Sequence, residues 1–556
     1  MTKTANGVRS LGVLAAPGRR ALVRDPVMAT IVVTTLIAAL LRAYQLTRPG
    51  FLLGVIEYDD GADFGSAIRL VHGALPYRDF IMVQPPGITL LMTPVAFAAK
   101  GLGSAGALAI GRVLTALAST AGVLLAGLLV RHRGVLATMI TCGTLAVFPD
   151  SIAAAKTVLL EPWLVLFCLL GALALFDRDR LAASGRRLAV AGLAFGFAGA
   201  VKVWAILPVL AVLVLAARRP RRALLFAAGV AVGFLVPVLP FAALAPRTFY
   251  SSVVVAQLVR VDLVRIPLIQ RLTDMTGLVH VPSPVLVWTV TVLIAALSIG
   301  SCAVAARLTG RQPAPLEWFV LGMFVLAVIA FLWPADFYYH YAAFLAPFLG
   351  MAIGLPTARA LAALPASRPR AGTEPGTAPA GQRFPRLARL AAHAQAASWL
   401  TTRTALWTAA AALAVFMVAQ AGSESTMATA VPASTLASAR HLIRPGACVV
   451  SDQVSYAMAV DRFTSSDPRC SPMVDGIGTD YALATGHNGL TGAESSPQLR
   501  AIWTSAFRAA QYVWLTGMSD RRIPWTPQLR SYFLSHFQPL TDGPDWIYLR
   551  TAGPSG

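Results

Sequence analysis

The sequence has little charge, and the charge it has is mostly of one sign. Asp, Glu, Lys and Arg make up 13% of its 556 residues, against 56% hydrophobic. That is about half the charged share of a soluble domain, and the mean hydropathy is +0.65. A soluble globular enzyme is excluded, because most of such a chain must face lipid. Acids are scarcer still, 25 against 46 Lys plus Arg, for a net charge of +21. On a soluble chain that excess would point to nucleic acid. Here the Arg clusters fall between apolar runs and read as cytoplasmic loops, so no nucleic-acid partner is expected. There are five Cys, with no CxxC and no Cys/His spacing, which excludes structural zinc. Cys142, Cys168 and Cys302 lie inside apolar runs and read as inert core. Cys448 and Cys470 lie in a polar C-terminal region and are a candidate disulfide if that region is outside the cell. No GxxxxGK[ST] occurs, so no P-loop is present. The first apolar run lacks a small-residue cleavage site and is expected to be a retained helix rather than a signal peptide.

What is present is a series of apolar runs. A span needs about 20 mostly apolar residues. Spans are expected near 28–47, 107–130, 134–149, 159–176, 188–201, 204–217, 223–241, 285–306, 316–333, 342–360 and 404–421. The fold class expected is a polytopic α-helical membrane protein with about eleven spans (range 9–13) and a small C-terminal extracytoplasmic α/β domain. Alternation places the Arg-rich N-terminus, "RHR" at 131–133, 177–187, 218–222, 307–311 and 355–403 on one side. That side is cytoplasmic, in a multi-pass protein of the cell membrane with its C-terminus outside. Residues 1–421 read as the membrane domain, with a first outer loop at 48–106 and a cytoplasmic basic linker at 361–403. "PASRPRAGTEPGTAPAGQRFPR" within that linker reads as disordered by composition. Residues 85–100 read as a juxtamembrane or re-entrant helix. From 422 to 556 the pattern changes: "ACVVSD", "QYVWLTG" and "DWIYLR" read as strands, and "ASTLASARHLI" and "SPQLRAIWTSAF" as helices. GxxxG at Gly192–Gly196 and Gly229–Gly233 predicts close helix packing.

The chemistry concentrates in "EYDDGADFGSAIRLVHGALPYRDFIMVQPPG". Glu57, Asp59, Asp60 and Asp63 crowd one outer loop, and like charges so close raise each other's pKa unless cations, a metal or donors compensate. Asp79 follows in "LPYRDF". Lys156 and Glu161 flank the next outer loop, "KTVLLEP". Lys202 ends a short apolar segment, where a charge is costly or snorkels. "DFYYHYAAFLAP" sets Asp336, His340 and Tyr341 at the start of a span. A solvated acidic loop and an aromatic belt are the plain alternatives. Together, however, carboxylates and cationic or phenolic donors meet at one lipid–water boundary. A carboxylate there can take the proton of an attacking sugar hydroxyl. Cations and phenols can hold a departing phosphate, and a divalent cation, if bound, could bridge the two.

With those residues in place, the chain resembles the GT-C glycosyltransferases, polytopic enzymes that transfer sugar from a polyprenyl-phosphate donor on the outer face. The resemblance covers about the first 350 residues. "EYDDG…LPYRDF…QPPG" is similar to the family's acidic first-loop motif and its Pro-Pro element, with Asp59 and Asp60 at the acidic pair. Glu161 in "LLEPW" matches a second-loop acid, Arg112 a family Arg, and Lys202 a family Lys. "FYYHYAAFLAP" resembles a further family element that includes His340 and Tyr341. Gln84 stands where many relatives carry a basic residue before the Pro-Pro. The resemblance implies catalysis by Asp59 and Asp60, which would also hold any divalent cation. It implies donor-phosphate contacts from Lys202, His340, Tyr341, Arg112 and Lys156, and acceptor or second-acid roles for Glu57, Asp63, Asp79 and Glu161. The Ala/Arg-rich style and outer tail resemble the actinobacterial cell-envelope branch, and more narrowly the mannosyltransferases that begin the mannose caps of lipoarabinomannan. The partners implied are a polyprenyl-phosphate-sugar donor, a lipoglycan or polysaccharide acceptor, and membrane lipid. Arabinosyl transfer in arabinan synthesis stays open as an alternative. So does a flippase for lipid-linked sugar, although the acids sit in an outer loop rather than at the midplane. A non-catalytic envelope scaffold is the third class.

Overall fold

The computed structural model describes residues 25–259, 265–279, 281, 283–334, 337–363, 385–427, 431–483, 493–518, 522–541 and 546–551. Asp336 and most of the basic linker (364–384) lie outside the described residues. Helix α1 (Pro26–Leu46) starts where its chemistry predicts. The Asp25 side chain accepts the Val27 N–H at 2.9 Å, with Pro26 at the first helical position. There follow α2 (Asp59–Val71), α3 (Gly87–Ala96), α4 (Ala99–Val130), α5 (Val135–Val147), α6 (Leu160–Leu175), α7 (Gly185–Val201), α8 (Ile206–Ala216) and α9 (Pro220–Leu244). Then come α10 (Pro284–Thr309), α11 (Pro315–Leu332), α12 (Tyr341–Ala363) and α13 (Pro385–Thr426). Seven helices among the described residues are long and apolar enough to cross a membrane: α1, α4 with the turn that extends it to Arg133, α9, α10, α11, α12 and the Arg403–Thr426 part of α13. The remaining expected spans fall on α5, α6, α7 and α8. The chain is a polytopic helical membrane protein.

The GxxxG glycines let α7 and α9 touch backbone to backbone. A Cβ on Gly192 would lie 2.9 Å from Gly229 Cα, and one on Gly233 the same distance from Leu193 Cα. Any larger residue would force the pair apart, which is the packing logic of small-residue seams in lipid.

The C-terminal region is a small α/β unit. Helix α14 (Ala433–Leu442) leads into strand β1 (Val449–Ser451), and α15 (Val454–Ala459) and α16 (Gly476–Leu483) follow. Next come α17 (Pro497–Ala509), β2 (Tyr512–Leu515), α18 (Pro527–His536), β3 (Phe537–Pro539) and β4 (Trp546–Arg550). The sheet order is β1-β2-β4-β3. β1 and β2 are parallel (Val450 beside Val513), and the other pairs are antiparallel (Trp514 beside Ile547, Gln538 beside Leu549). Both faces are covered, so the strands read as continuous apolar runs. Val450, Val513 and Tyr548 pack on Trp503, Phe507 and Phe533. Val449, Trp514 and Ile547 face the other way, into the cluster that also contains Phe64 and Ile68 of α2. Cys448 and Cys470 are joined by a disulfide.

That shared cluster fixes α2, the helix that begins with the acidic pair, between the membrane bundle and the C-terminal unit. The approach is close at Gly61, where a Cβ would lie 2.6 Å from Ser455 N. Gly103, at φ +76°, kinks the start of α4, and a Cβ there would collide with the Asp461 carboxylate. Asp461 Oδ1 in turn accepts the Ala105 N–H at 2.9 Å.

Candidate active site

Asp59 and Asp60 occupy the first turn of α2, where a helix N-terminus favours negative charge. Successive helical residues point about 100° apart, so the two carboxylates enter different surroundings. Asp60 is fully buried. Its Oδ2 accepts Arg112 Nη2 at 2.7 Å and Thr157 Oγ1 at 2.6 Å. Arg112, also fully buried, donates Nη1 to the carbonyls of Phe51, Leu52 and Gly54 at 2.8–2.9 Å and Nε to Thr157 Oγ1 at 3.1 Å. The planar fork of an Arg serves such a multi-pronged role where Lys would not. The expected contact between Arg112 and the donor phosphate therefore gives way to a clamp that ties α4 to the loop before α2.

Asp59 instead lines a cavity of about 200 Å³. Glu57, Asp63, Glu161, Lys202, His340 and Tyr341 line it too. Glu161, in the first turn of α6, is buried, and its Oε1 binds both the Lys202 ammonium and His340 Nδ1, the latter at 2.7 Å. A carboxylate can only accept, so Nδ1 carries the proton, and Nε2 faces Asp59 Oδ2 at 3.7 Å. Lys202 sits where α7 ends in extended backbone, its ammonium 4.5 Å from the Tyr341 ring centroid. His340 thus bridges Glu161 and Asp59, in addition to the phosphate contact expected of it.

Glu57 accepts Tyr339 Oη at 2.7 Å and pairs with Lys156 at 2.7 Å. Burial pushes the Glu57 carboxyl up, but the Lys156 charge and both hydrogen bonds outweigh it and hold it below its ordinary value. Lys156 stands behind Glu57 and does not line the cavity. The Asp63 side chain is 4% exposed and has no hydrogen-bond partner among the described residues. Burial first, then the neighbouring Asp59 charge, push its carboxyl well above the usual range. Asp79 pairs with Arg78 at 2.7 Å beside a separate cleft, away from Asp59.

Of the expected residues, the cavity gathers Glu57, Asp59, Asp63, Glu161, Lys202, His340 and Tyr341. Asp60, Arg112, Lys156 and Asp79 stand outside it. As a two-carboxylate cradle for a divalent cation, Asp59 and Asp60 fit poorly, because Asp60 is fully buried against the Arg112 charge and stands outside the cavity that Asp59 lines. Among the described residues, no group of three His, Cys, Asp or Glu gathers to hold a metal.

Tyr58, Asp475 and Arg522 also line the cavity and carry polar groups that the sequence did not single out. Tyr58 donates to Asp475 Oδ1 at 2.9 Å and accepts the Ile477 N–H at 3.0 Å. Asp475 and Arg522 come from the C-terminal unit. Tyr58 lies inside the acidic motif and was legible in principle. Asp475 and Arg522 are more than 400 positions away and carry no local signal.

Comparison with known proteins agrees with this architecture. Residues 83–333 match the model of Glycosyltransferase family 87. That segment contains Arg112, Lys156, Glu161 and Lys202, and ends before His340. No curated protein matches the sequence. Among solved structures, the chain is similar to ArnT from Cupriavidus metallidurans bound to undecaprenyl phosphate. Identity is 15%, the TM-score is 0.55, and 95% of this chain and 99% of that one are covered. The apo form of ArnT gives 16% identity and a TM-score of 0.55, with the same coverage. The archaeal oligosaccharyltransferase AglB from Archaeoglobus fulgidus, in complex with an inhibitory peptide and a dolichol-phosphate, gives 13% identity and a TM-score of 0.50. It is matched over 95% of this chain and 74% of its own. At such identities the likeness speaks for the fold: this membrane protein has the fold of the GT-C glycosyltransferases, and its central segment matches Glycosyltransferase family 87.

Proposed function

We propose that this protein is an inverting glycosyltransferase that moves a sugar from a polyprenyl-phosphate donor to a glycan acceptor on the outer face of the cell membrane. The observation that carries the reading is the cavity where Asp59, His340, Glu161 and Lys202 converge at the ends of apolar helices. Its support is chemical. Asp59 faces His340 Nε2 at 3.7 Å and is open to the cavity, whereas Glu161 is buried on Lys202 and His340; Asp59 takes the proton of the acceptor hydroxyl as the oxygen attacks the anomeric carbon. The new C–O bond forms as the bond from that carbon to the phosphate oxygen breaks, and polyprenyl phosphate leaves. Lys202, with Tyr341 beneath it, and His340 face the charge that builds on the leaving phosphate. Glu161 holds both in place. Asp60 and Arg112 act from below as positioning residues.

The sugar is proposed to be mannose and the acceptor a lipoglycan of the lipoarabinomannan kind. The support for both is the resemblance of the sequence to the mannose-capping branch. The basic segments support an outer location for the cavity. The test is to supply membranes containing the protein with radiolabelled polyprenyl-phosphate-mannose and, separately, polyprenyl-phosphate-arabinose, with a synthetic arabinan oligosaccharide as acceptor. Label from the mannose donor in the oligosaccharide is the expected result. Label from the arabinose donor alone would move the enzyme to arabinan synthesis. Flipping of labelled lipid without transfer would replace the enzyme with a transporter.

A further inference from the structure

The cavity has two kinds of wall. Glu161, Lys202, His340 and Tyr341 come from helices of the membrane bundle or their ends, whereas Asp475, Gly478 and Arg522 come from the C-terminal unit. A lipid-linked donor reaches the cavity from the bilayer. A water-borne acceptor must reach it from the other side.

Arg522 is built for contact on that side. Its guanidinium lies 5.3 Å over the Tyr58 ring centroid. Nη1 donates to Gln453 Oε1 at 2.9 Å and Thr516 Oγ1 at 2.8 Å, and stands 3.6 Å from Asp452 Oδ2. Those acceptors are themselves anchored. Gln453 Nε2 donates to the Glu57 carbonyl, and Asp452 accepts the Thr516 N–H and hydroxyl. One edge of the fork is thus fixed. The other edge, Nε and Nη2, finds no acceptor among the described residues, and the side chain is 28% exposed at the cavity. A guanidinium offers donors only, so the open edge calls for ligand oxygens. Held by stacking and by Nη1, it loses little freedom when a ligand arrives. Arg522 and Asp59 line the same cavity, so an oxygen bound to that edge shares the cavity with the carboxylate that would take its proton.

We propose that Arg522 forms an acceptor subsite, binding a hydroxyl or ring oxygen of a polyhydroxylated glycan beside Asp59. The inference rests on the proposed transferase reading and adds a ligand class and a residue to it. It gives the C-terminal unit a direct part in the active site.

The experiment uses the full-length protein in lipid nanodiscs, with polyprenyl-phosphate-mannose and a synthetic arabinan oligosaccharide as probes. Arg522→Gln is expected to raise the oligosaccharide KM by about tenfold or more, the scale of a lost charge-assisted hydrogen bond. Donor KM stays within about twofold, since that side of the cavity is untouched. Arg522→Lys keeps charge and reach but not the fork, and is expected to recover part of the loss. It also answers the question if Arg522→Gln does not fold. Oligosaccharide binding without donor is measured in parallel, and weaker binding by the variant supports the subsite. An unchanged acceptor KM, or equal losses in donor KM and kcat, would reduce Arg522 to a staple between Tyr58 and the C-terminal unit and overturn the proposal. A wild-type protein that binds the oligosaccharide through Arg522 yet transfers nothing would sink the transferase reading and leave the subsite standing.

Discussion

The buried pair of Asp60 and Arg112 permits a test that separates a structural role from a substrate-binding one. Arg112→Met keeps most of the apolar stem and removes the guanidinium. Asp60 is then left buried with Thr157 alone, and the carbonyls of Phe51, Leu52 and Gly54 lose their common donor. Removing one partner of a fully buried ion pair costs about 3–5 kcal/mol. Asp60→Asn leaves the converse problem, a buried guanidinium facing a neutral amide, at a similar cost. The double variant buries no charge at all, so the two losses should not add. A coupling of about 2 kcal/mol is expected, within the range for residues in one network. The assay is unfolding of the purified protein in mixed detergent micelles for the wild type, both single variants and the double. Additivity within about 0.5 kcal/mol, or an unfolding curve unmoved by Arg112→Met together with a raised donor KM, would refute the clamp. The second outcome would return Arg112 to the phosphate.

Three further outcomes follow from the same geometry. Burial and the Asp59 charge hold the Asp63 carboxyl well above its ordinary value, so the folded state keeps a proton that the unfolded chain releases above about pH 3.9. Stability therefore falls as pH rises from there to the folded value, and Asp63→Asn should flatten that fall in a series of unfolding midpoints against pH. Glu57 runs the opposite way: held low chiefly by Lys156 against the pull of burial, it contributes fully above about pH 4.3 and loses that contribution as pH falls through the depressed folded value. Lys156→Met should destabilise at neutral pH, and the gap from wild type should narrow in acid. Replacing both Cys448 and Cys470 with Ala opens a loop closed across 22 positions, and should cost roughly 3 kcal/mol in the C-terminal unit, read by protease sensitivity of that region.

The membrane architecture was legible because lipid leaves few choices: a long apolar run must be a helix, and the expected spans coincide with helices. "ACVVSD", "QYVWLTG" and "DWIYLR" each became a strand, because a sheet covered on both faces needs unbroken apolar runs. α18 and β3 carried weaker patterns and were not anticipated. At the site, the residue types were legible but their pairing was not. Asp59 and Asp60 read as one motif in a loop. They part company because a helix begins there, and one step of helical rotation sends Asp60 into the bundle. Arg112 read as a phosphate ligand because its buried partner lay 52 positions away. Asp475 and Arg522 were invisible, since only the docking of the C-terminal unit on α2, through Gly61 and the shared apolar cluster, brings them to Asp59.

Asp59 is proposed as the base of a sugar transfer in this cavity. The direct measurement is single-turnover transfer from radiolabelled polyprenyl-phosphate-mannose to a synthetic arabinan oligosaccharide, by the wild type and by Asp59→Asn, each purified in nanodiscs. Unfolding midpoints and donor binding are checked first to be equal. With Asp59 as the base, Asp59→Asn is expected to lose about 10²–10⁴-fold in the chemical step, the usual worth of a positioned acid or base. A variant within about tenfold of the wild type would contradict it.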